Sequence, residues 1–510
     1  MALPCFSSFQ AISVFDGVVY PGRNAQPGYN VFRGGSNHDK SIFKNKMRRT
    51  VIQFRVILFI ISFLVLRVSS VLYAADIPAK NASITLDDAV RIGLEKSRAL
   101  EIARLDRDMA RQKIRETWSK VLPQLSSDFT YTRSLKPSVL FFPDIFQGGT
   151  GSSFKAIEIS ADNSAIASLD LRQPLFNGSA FAGIRAAGIV RKISDEAYRN
   201  AEAAVISDIK ISYFDALISR EQLKLIEQSI ARWEESRKDT RAMFRQGVAA
   251  DIDTLKSFLS VENLRPDLIQ AESRVTTSMT RLKNAMGVSL DTALVLSGKL
   301  EMNSAAFPTD VAAAYREALD LRPDLRQLDL QVQAEGEKIA SARAERYPVI
   351  TAFGKLQTQT AFNDEIKPSR SLWPVSSSVG IQLSLPLFTG FRISSQVEQA
   401  KIGQLQTRTR FEDLKANIRA EIEVRVSNLR ESKKRIEVQS KTISVAERSY
   451  TISRLRFREG IGSRLELTDA ELQLNKAKTN YLQAVYDCLV ASVQLERALG
   501  RSRAMMAEKG

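Results

Sequence analysis

Phe457-Arg458-Glu459-Gly460-Ile461 reads as the end of a long helix, a charged last turn followed by a glycine stop. A near copy, Phe244-Arg245-Gln246-Gly247-Val248, stands in the first half of the chain. Counting back from Phe457 in sevens meets Tyr450, Ile443, Ile436, Leu429 and Ile422, and the same count from Phe244 meets Arg237, Ile230, Leu223, Ala216 and Ile209. One side of each run is therefore nearly all apolar. Past the turns, Leu467, Leu474, Tyr481, Cys488 and Leu495 answer Thr254, Val261, Leu268, Val275 and Leu282. A second seam, Ala477, Ala484, Ala491 and Ala498, answers Leu264, Ala271, Ser278 and Ala285. A seven-residue apolar repeat keeps one seam of a helix against a partner along a left-handed supercoil. Each copy thus predicts two antiparallel helices folded at a glycine tip.

The duplication divides the 510 residues into two similar halves, 76–304 and 305–510, with long hairpins expected over 180–286 and 391–500. The formal charge is +16, but residues 1–75 hold nine Lys/Arg against Asp16 and Asp39, which leaves +9 for the rest. Those cations are interspersed with acids along the helices, so solvated helix faces are expected and no nucleic-acid surface. His38 is the only histidine, and Cys5 and Cys488 are the only cysteines. Without the first 75 residues the chain has no imidazole and one thiol, which excludes a disulfide, a Ser-His-Asp or Cys-His pair and a His/Cys zinc cluster. The sequence predicts no enzyme, no cofactor and no metal site. Cys488, in the heptad seam, reads as a core thiol.

Met47-Arg48-Arg49, the apolar run 56–66 and Leu72-Tyr73-Ala74-Ala75 follow the three-part pattern of a secretory signal peptide over 47–75, cut after Ala74 or Ala75. Arg67 makes the apolar run too short for a comfortable membrane span. Residues 1–46 show no period and read as an extension upstream of Met47, the working start. Thr85-Leu86-Asp87-Asp88 has N-cap spacing and opens a helix expected to reach about Lys120; its counterpart opens near Pro308-Thr309-Asp310 and covers 312–346.

Both halves then reach a proline, Pro123 and Pro348, and the period changes from helical to two. Leu125, Phe129 and Tyr131 alternate with polar residues, and Val379, Ile381, Leu383 and Leu385 alternate with small or polar ones. Strands are expected at 125–134 and 157–175 in the first half and at 349–360 and 376–387 in the second, with loops rich in Gly, Pro, Ser and Phe at 134–154 and 362–374. Both second strands end in one phrase, Gln173-Pro174-Leu175-Phe176-Asn177-Gly178 and Leu385-Pro386-Leu387-Phe388-Thr389-Gly390. Four such strands cannot close a membrane barrel, since the smallest have about eight.

This ordered set, from Thr85 to the Ala285-Met286-Gly287 and Ala498-Leu499-Gly500 ends, resembles the TolC-like outer-membrane efflux protein family. The resemblance implies an α+β membrane protein whose four strands per chain make a trimeric twelve-stranded β-barrel, continued by a periplasmic α-helical barrel. It implies the outer-membrane channel of a tripartite efflux or type I secretion system, a passive conduit serving an inner-membrane pump or ABC exporter. The partners it implies are two further copies, outer-membrane lipid and a periplasmic adaptor that meets the tips at Gly247, Val248, Gly460 and Ile461. Glu466 and Asp469 match the acidic positions of a periplasmic gate; Asp253 stands at the equivalent first-half place, where Lys256 replaces the second acid. The alternative is a non-channel periplasmic adaptor or scaffold, which accounts for heptads and export but not for paired strands.

Overall fold

The computed structural model describes residues 83–136, 138–143, 154–300, 310–365 and 371–501, all within the unit Ala79–Gly510. The extension expected at 1–46, the signal peptide at 47–75, and Pro308 and Thr309 lie outside the described residues. The first half runs β1 (Ser83–Ile84), α1 (Leu86–Lys96), α2 (Arg98–Ser119), β2 (Gln124–Arg133), β3 (Val139–Pro143), β4 (Phe154–Glu158), β5 (Asn163–Phe176), α3 (Gly178–Arg245), α4 (Asp251–Glu262), α5 (Arg265–Met286) and β6 (Val295–Leu296). The second runs α6 (Val311–Leu321), α7 (Pro323–Ala344), β7 (Val349–Phe362), β8 (Val375–Ser384), α8 (Arg392–Arg458) and α9 (Arg464–Leu499).

Thr85 caps α1 in a reciprocal arrangement: its hydroxyl accepts from the Asp88 N–H at 3.2 Å, and the Asp88 carboxylate accepts from the Thr85 N–H at 3.3 Å. The hydroxyl and N–H of Thr85 hold the Asp88 carboxyl below its usual value. Asp310 caps α6, accepting from the N–H groups of Ala312 and Ala313, both at 3.1 Å. One continuous helix is the sequence expectation for 85–120 and for 312–346, and the structure breaks both, at Ser97 and Arg322, which share an extended backbone. Arg322 precedes Pro323, whose ring disfavours helical geometry one residue back. Ser97 has no such proline. Against each break presses the glycine that ends a hairpin: a Cβ on Gly287 (φ +70°) would lie 2.2 Å from the Lys96 carbonyl oxygen, and one on Gly500 (φ +78°) 2.9 Å from the Leu321 carbonyl carbon.

The period-two stretches form a four-stranded antiparallel sheet in the order β2-β5-β7-β8, leaving β2 and β8 as edges. The stretch expected to be one strand over 157–175 is divided. Its start belongs to β4, which pairs with β3 in a separate ladder within the expected loop, and β5 begins only at Asn163. At 68 and 67 residues, α3 and α8 are each about 100 Å long. The second return arm is one helix, α9, whereas the first is interrupted at Asn263 and Leu264, just before Pro266, and resumes as α5.

Each half has its own core where the hairpin ends meet the short helices. Val90, Leu100, Ile209, Leu282 and Met286 are buried in the first, and Leu325, Ile418, Ile422, Cys488, Leu495 and Leu499 in the second. The parallel pair β1–β6 closes over the first core, tied down by the Tyr213 hydroxyl, 2.6 Å from the Ser297 carbonyl, and by Arg220, which donates to the Leu296 carbonyl at 2.8 Å.

Candidate conduit wall and helical tips

The sheet register sorts its side chains into two faces, because residues directly opposite each other in neighbouring strands point the same way. One row reads Leu125, Leu171, Gly354, Val379 and the next on that face Ser127, Leu169, Leu356, Ser377. The rows between them read Ser126, Asp170, Lys355, Ser378 and Asp128, Ser168, Gln357, Ser376. One face is thus largely apolar and the other carries carboxylates, amides, hydroxyls and an ammonium. Val379, Ile381 and Leu383 are exposed on the edge strand β8, as are Leu125, Phe129 and Tyr131 on β2. A wall with one face for hydrocarbon and one for water is what a channel barrel requires. The alternation of Leu169 and Leu171 with Asp170 and Arg172 carries the same signal in β5, although the sequence reading assigns those polar residues no role.

At the opposite end of the long helices, both tips close in the same hydrogen-bonded motif. Gly247 N–H donates to the Phe244 carbonyl at 3.0 Å and Val248 N–H to Met243 at 2.9 Å; Gly460 and Ile461 repeat this with Phe457 and Arg456 at 3.1 and 3.0 Å. The glycines sit at φ +74° and +73°, left-handed geometry that a side chain would strain. Val248 (67 % exposed) and Ile461 (71 % exposed) stand open beside them. Phe457 is buried but its counterpart Phe244 is exposed, so the two tips differ in packing beneath one backbone path.

The tips are joined to each other. Arg464, at the start of α9, reaches the hydroxyls of Thr240 on α3 and Ser260 on α4, each at 3.3 Å. Burial pushes the Arg464 guanidinium down from its usual value, and Asp253 pulls the other way. Arg458 donates to Asp239 at 3.0 Å, and both Arg458 and Arg454 bond Glu235. Glu466 lies in the first turn of α9, its N–H held by the Ser463 hydroxyl at 3.2 Å and its carboxylate 3.9 Å from Arg456. Asp469 is exposed one turn on, whereas Asp253 sits part-buried on the neighbouring tip. Within one chain, then, Glu466 and Asp469 share a helix, and Asp253 belongs to the other hairpin.

Deeper between the hairpins lies a polar cluster that heptad counting missed. Glu471, 2 % exposed, accepts from Arg232 Nε at 2.8 Å and from the Ser229 hydroxyl at 3.2 Å, and Arg232 Nη2 donates to the Asn475 side chain at 2.7 Å. These partners lie on α3 and α9, in different halves of the chain, and in the sequence Glu471 looks like any helix acid. Beside them runs a cleft of about 340 Å³ lined by Leu264, Ala271, Leu472 and Asn475. Among the described residues no group of three His, Cys, Asp or Glu side chains is placed to hold a metal ion, and no helix is long and apolar enough to cross a membrane.

A family profile described as "Outer membrane efflux protein" matches residues 90–288 and 314–501. The alkaline protease secretion protein AprF of Pseudomonas aeruginosa is 23% identical over 419 residues, 81% of this chain and 84% of that protein. The outer membrane protein TolC of Escherichia coli is 22% identical over 407 residues, 78% of each chain. Several efflux-pump relatives are matched over only 62% of their length. Among solved structures, the CmeC outer membrane channel of Campylobacter jejuni superposes with a TM-score of 0.66 at 18% identity, covering 85% of this chain and 93% of that one. The adaptor alternative fails on the two-faced sheet and on this match across both halves. The chain belongs to the outer membrane efflux protein family, channels of the outer membrane with a large periplasmic helical part and not enzymes.

Proposed function

We propose that three copies of this chain close one barrel and one helical cylinder, making a passive, water-filled conduit from the periplasm to the exterior. The observation that carries this reading is the four-stranded sheet with two bare edges, one apolar face and one polar face. Unpaired backbone groups in hydrocarbon cost several kcal/mol each, so an open sheet has no stable place in a bilayer. Four strands are half the smallest barrel, and threefold repetition pairs every edge. The apolar face then meets outer-membrane lipid and the polar face lines the pore.

In this reading the energy comes from an inner-membrane pump or ABC exporter, and a periplasmic adaptor docks on Gly247, Val248, Gly460 and Ile461. Val248 and Ile461, exposed beside rigid turns, support it, and the exposed Ile252, Leu255 and Leu465 close by in the chain extend that apolar surface. Glu466 and Asp469, with Asp253 on the adjoining tip, form the gate: three copies bring acids around one axis, which attracts cations and repels anions. Two cargo classes follow from the relatives' names, a secreted protease, as for AprF, and toluene or an antibiotic, as for the efflux-pump proteins TtgF and ArpC.

Two experiments test this. Purified mature protein in detergent is expected to have the mass of a trimer by light scattering and to migrate heat-modifiably; a monomer soluble without detergent would sink the proposal. In cells, Val248→Asp combined with Ile461→Asp should abolish export while leaving the trimer intact, and unchanged export would remove the tips from the adaptor site. A deletion strain screened against toxic compounds and for secreted protein reads the cargo class.

A further inference from the structure

The two halves meet each other inside this chain, in the sheet and along the long helices. The halves correspond position by position. In the sheet, Asp128 faces Ser168 in the first hairpin and Phe353 faces Gly380 in the second. These are the same places, counted from Pro123 and Pro348 on the first strand of each hairpin and from Pro174 and Pro386 on the second. In the helices, the shift that carries Phe244 onto Phe457 carries Ile209, Ala216, Leu282 and Met286 onto Ile422, Leu429, Leu495 and Leu499, and all eight are buried.

Between halves, β5 pairs with β7, and α3 packs against α7 and α9. The equivalent outer faces lack this cover: α3 buries seventeen of its residues, while its counterpart α8 buries ten. Besides the Arg185–Glu337 pair of α3 with α7 and the tip contacts of Arg454 and Arg458 with Glu235, the inner seam joins α3 to α9 by two ion pairs. Lys210 on α3 meets Glu496 on α9 at 2.6 Å, and Arg232 on α3 meets Glu471 on α9 at 2.8 Å. Under the same shift, Lys210 becomes Glu423 and Glu496 becomes Lys283. Both charges reverse, so the attraction survives. Arg232 becomes Val445 and Glu471 becomes Phe258, so both members turn apolar together. In the single chain, Glu423, Val445 (68 % exposed) and Phe258 (43 % exposed) face solvent, and Lys283 donates to the Leu290 carbonyl at 2.7 Å with two further donors to spare.

We infer that the seam between copies repeats the seam between halves, with Lys283 against Glu423 of the partner subunit and Phe258 against Val445 of the partner subunit. The same translation of the Leu171–Gly354 pair sets Phe129 on β2 opposite Leu383 of the partner subunit in the closing barrel. The pattern also rejects wrong assemblies. Two first halves side by side would set Lys210 against Lys283 and bury Arg232 against Phe258; two second halves would set Glu423 against Glu496 and bury Glu471 against Val445. Only alternation of first and second halves satisfies both α3–α9 pairs, and alternation is what a ring of duplicated chains needs; nearer the tips, where Glu235 becomes Arg448 and Arg454 becomes Arg241, the ion pair is not repeated.

This assignment rests on the threefold reading above, and the test separates the two. Lys283→Glu and Glu423→Lys, made singly, place like charges at every seam between copies. Each is expected to lower the temperature at which the detergent-solubilised trimer dissociates, and the double exchange to recover at least half of that loss. Singles without effect, or a double as weak as the two losses combined, would overturn the assignment. Independently, Phe258→Cys with Val445→Cys, in a Cys488→Ala background, should be joined by a short bis-maleimide into covalent trimers, with neither cysteine alone linking chains. A trimer by light scattering that yields no such ladder refutes these contacts while leaving the conduit; a monomer refutes both.

Discussion

The two return arms follow one path with different chemistry. In the second hairpin α9 is unbroken from Arg464 to Leu499, and it carries Glu471 and Asn475 inward to Arg232. In the first, Asn263 N–H still donates to the Leu259 carbonyl at 2.9 Å, but Leu264 N–H falls back on the Val261 carbonyl at 3.1 Å, the tighter three-residue bond. Pro266 is the cause, since it has no N–H to give the preceding turn; its counterpart in α9 is Thr479, which does. Duplication therefore preserved backbone register and burial periodicity, while the side chains between the hairpins were free to diverge in pairs.

The largest expected effect probes that divergence. Glu471→Leu leaves the Arg232 guanidinium, 18% exposed, without its carboxylate, and should cost about 3–5 kcal/mol, the scale of breaking a buried pair from one side. At the equivalent first-half position, Phe258→Leu should cost under about 1.5 kcal/mol, because both residues are apolar. Chemical denaturation of the detergent-solubilised protein measures both, and equal losses would erase the contrast.

A middle-sized effect concerns the helix breaks. The second is held by Arg322, which pairs with Asp324 and Glu421, each at 2.7 Å, while the first has Ser97 and Ala99 in the places of Arg322 and Asp324. Burial raises the Asp324 carboxyl, but the Arg322 hydrogen bonds and charge outweigh it, and the net position is below the usual carboxylate value. A depressed folded-state pKa means that this stabilisation is present above the unfolded value and is lost as pH falls through the folded one. The stability difference between wild type and Asp324→Asn should thus be about 1.5–3 kcal/mol at neutral pH and shrink towards zero on acidification. A difference that stays constant with pH would remove the ion pair from the account.

The smallest effect is at the proline. Pro266→Ala should let α4 and α5 rejoin, changing stability by no more than about 1 kcal/mol but raising amide-exchange protection around Leu264 and Leu268. Protection that does not change would mean that packing, not the missing donor, interrupts the arm.

How far the sequence could be read followed from how local each signal is. The glycine tips were legible because a helix stop is written in consecutive residues, and the strands because Leu, Val and Ile alternate over a few positions. The break at Arg322 was also legible, in Pro323, but a continuous apolar period ran across it and concealed it. Ser97 offered no such mark; its break lies where Gly287, from a distant part of the chain, packs against Lys96 and Ser97. The β3–β4 ladder hid in a stretch whose composition resembles a loop. Of the candidate site residues, Val248 and Ile461 could be placed on tips, but the arginine that joins the tips, Arg464, could not.

By itself, then, the chain's order of residues determined the halves, their hairpins, the four strands of the main sheet and the shortage of strands that makes a lone copy incomplete. These depend on periodicity and on backbone conformations that a few neighbouring residues dictate. Tertiary structure alone decided that Glu471 is buried against Arg232, that the sheet runs β2-β5-β7-β8, and which faces of α3 and α8 differ in cover. A charged side chain at a given helical position can be solvated or buried at equal local cost, and only the partner brought to it from the other half of the chain settles which.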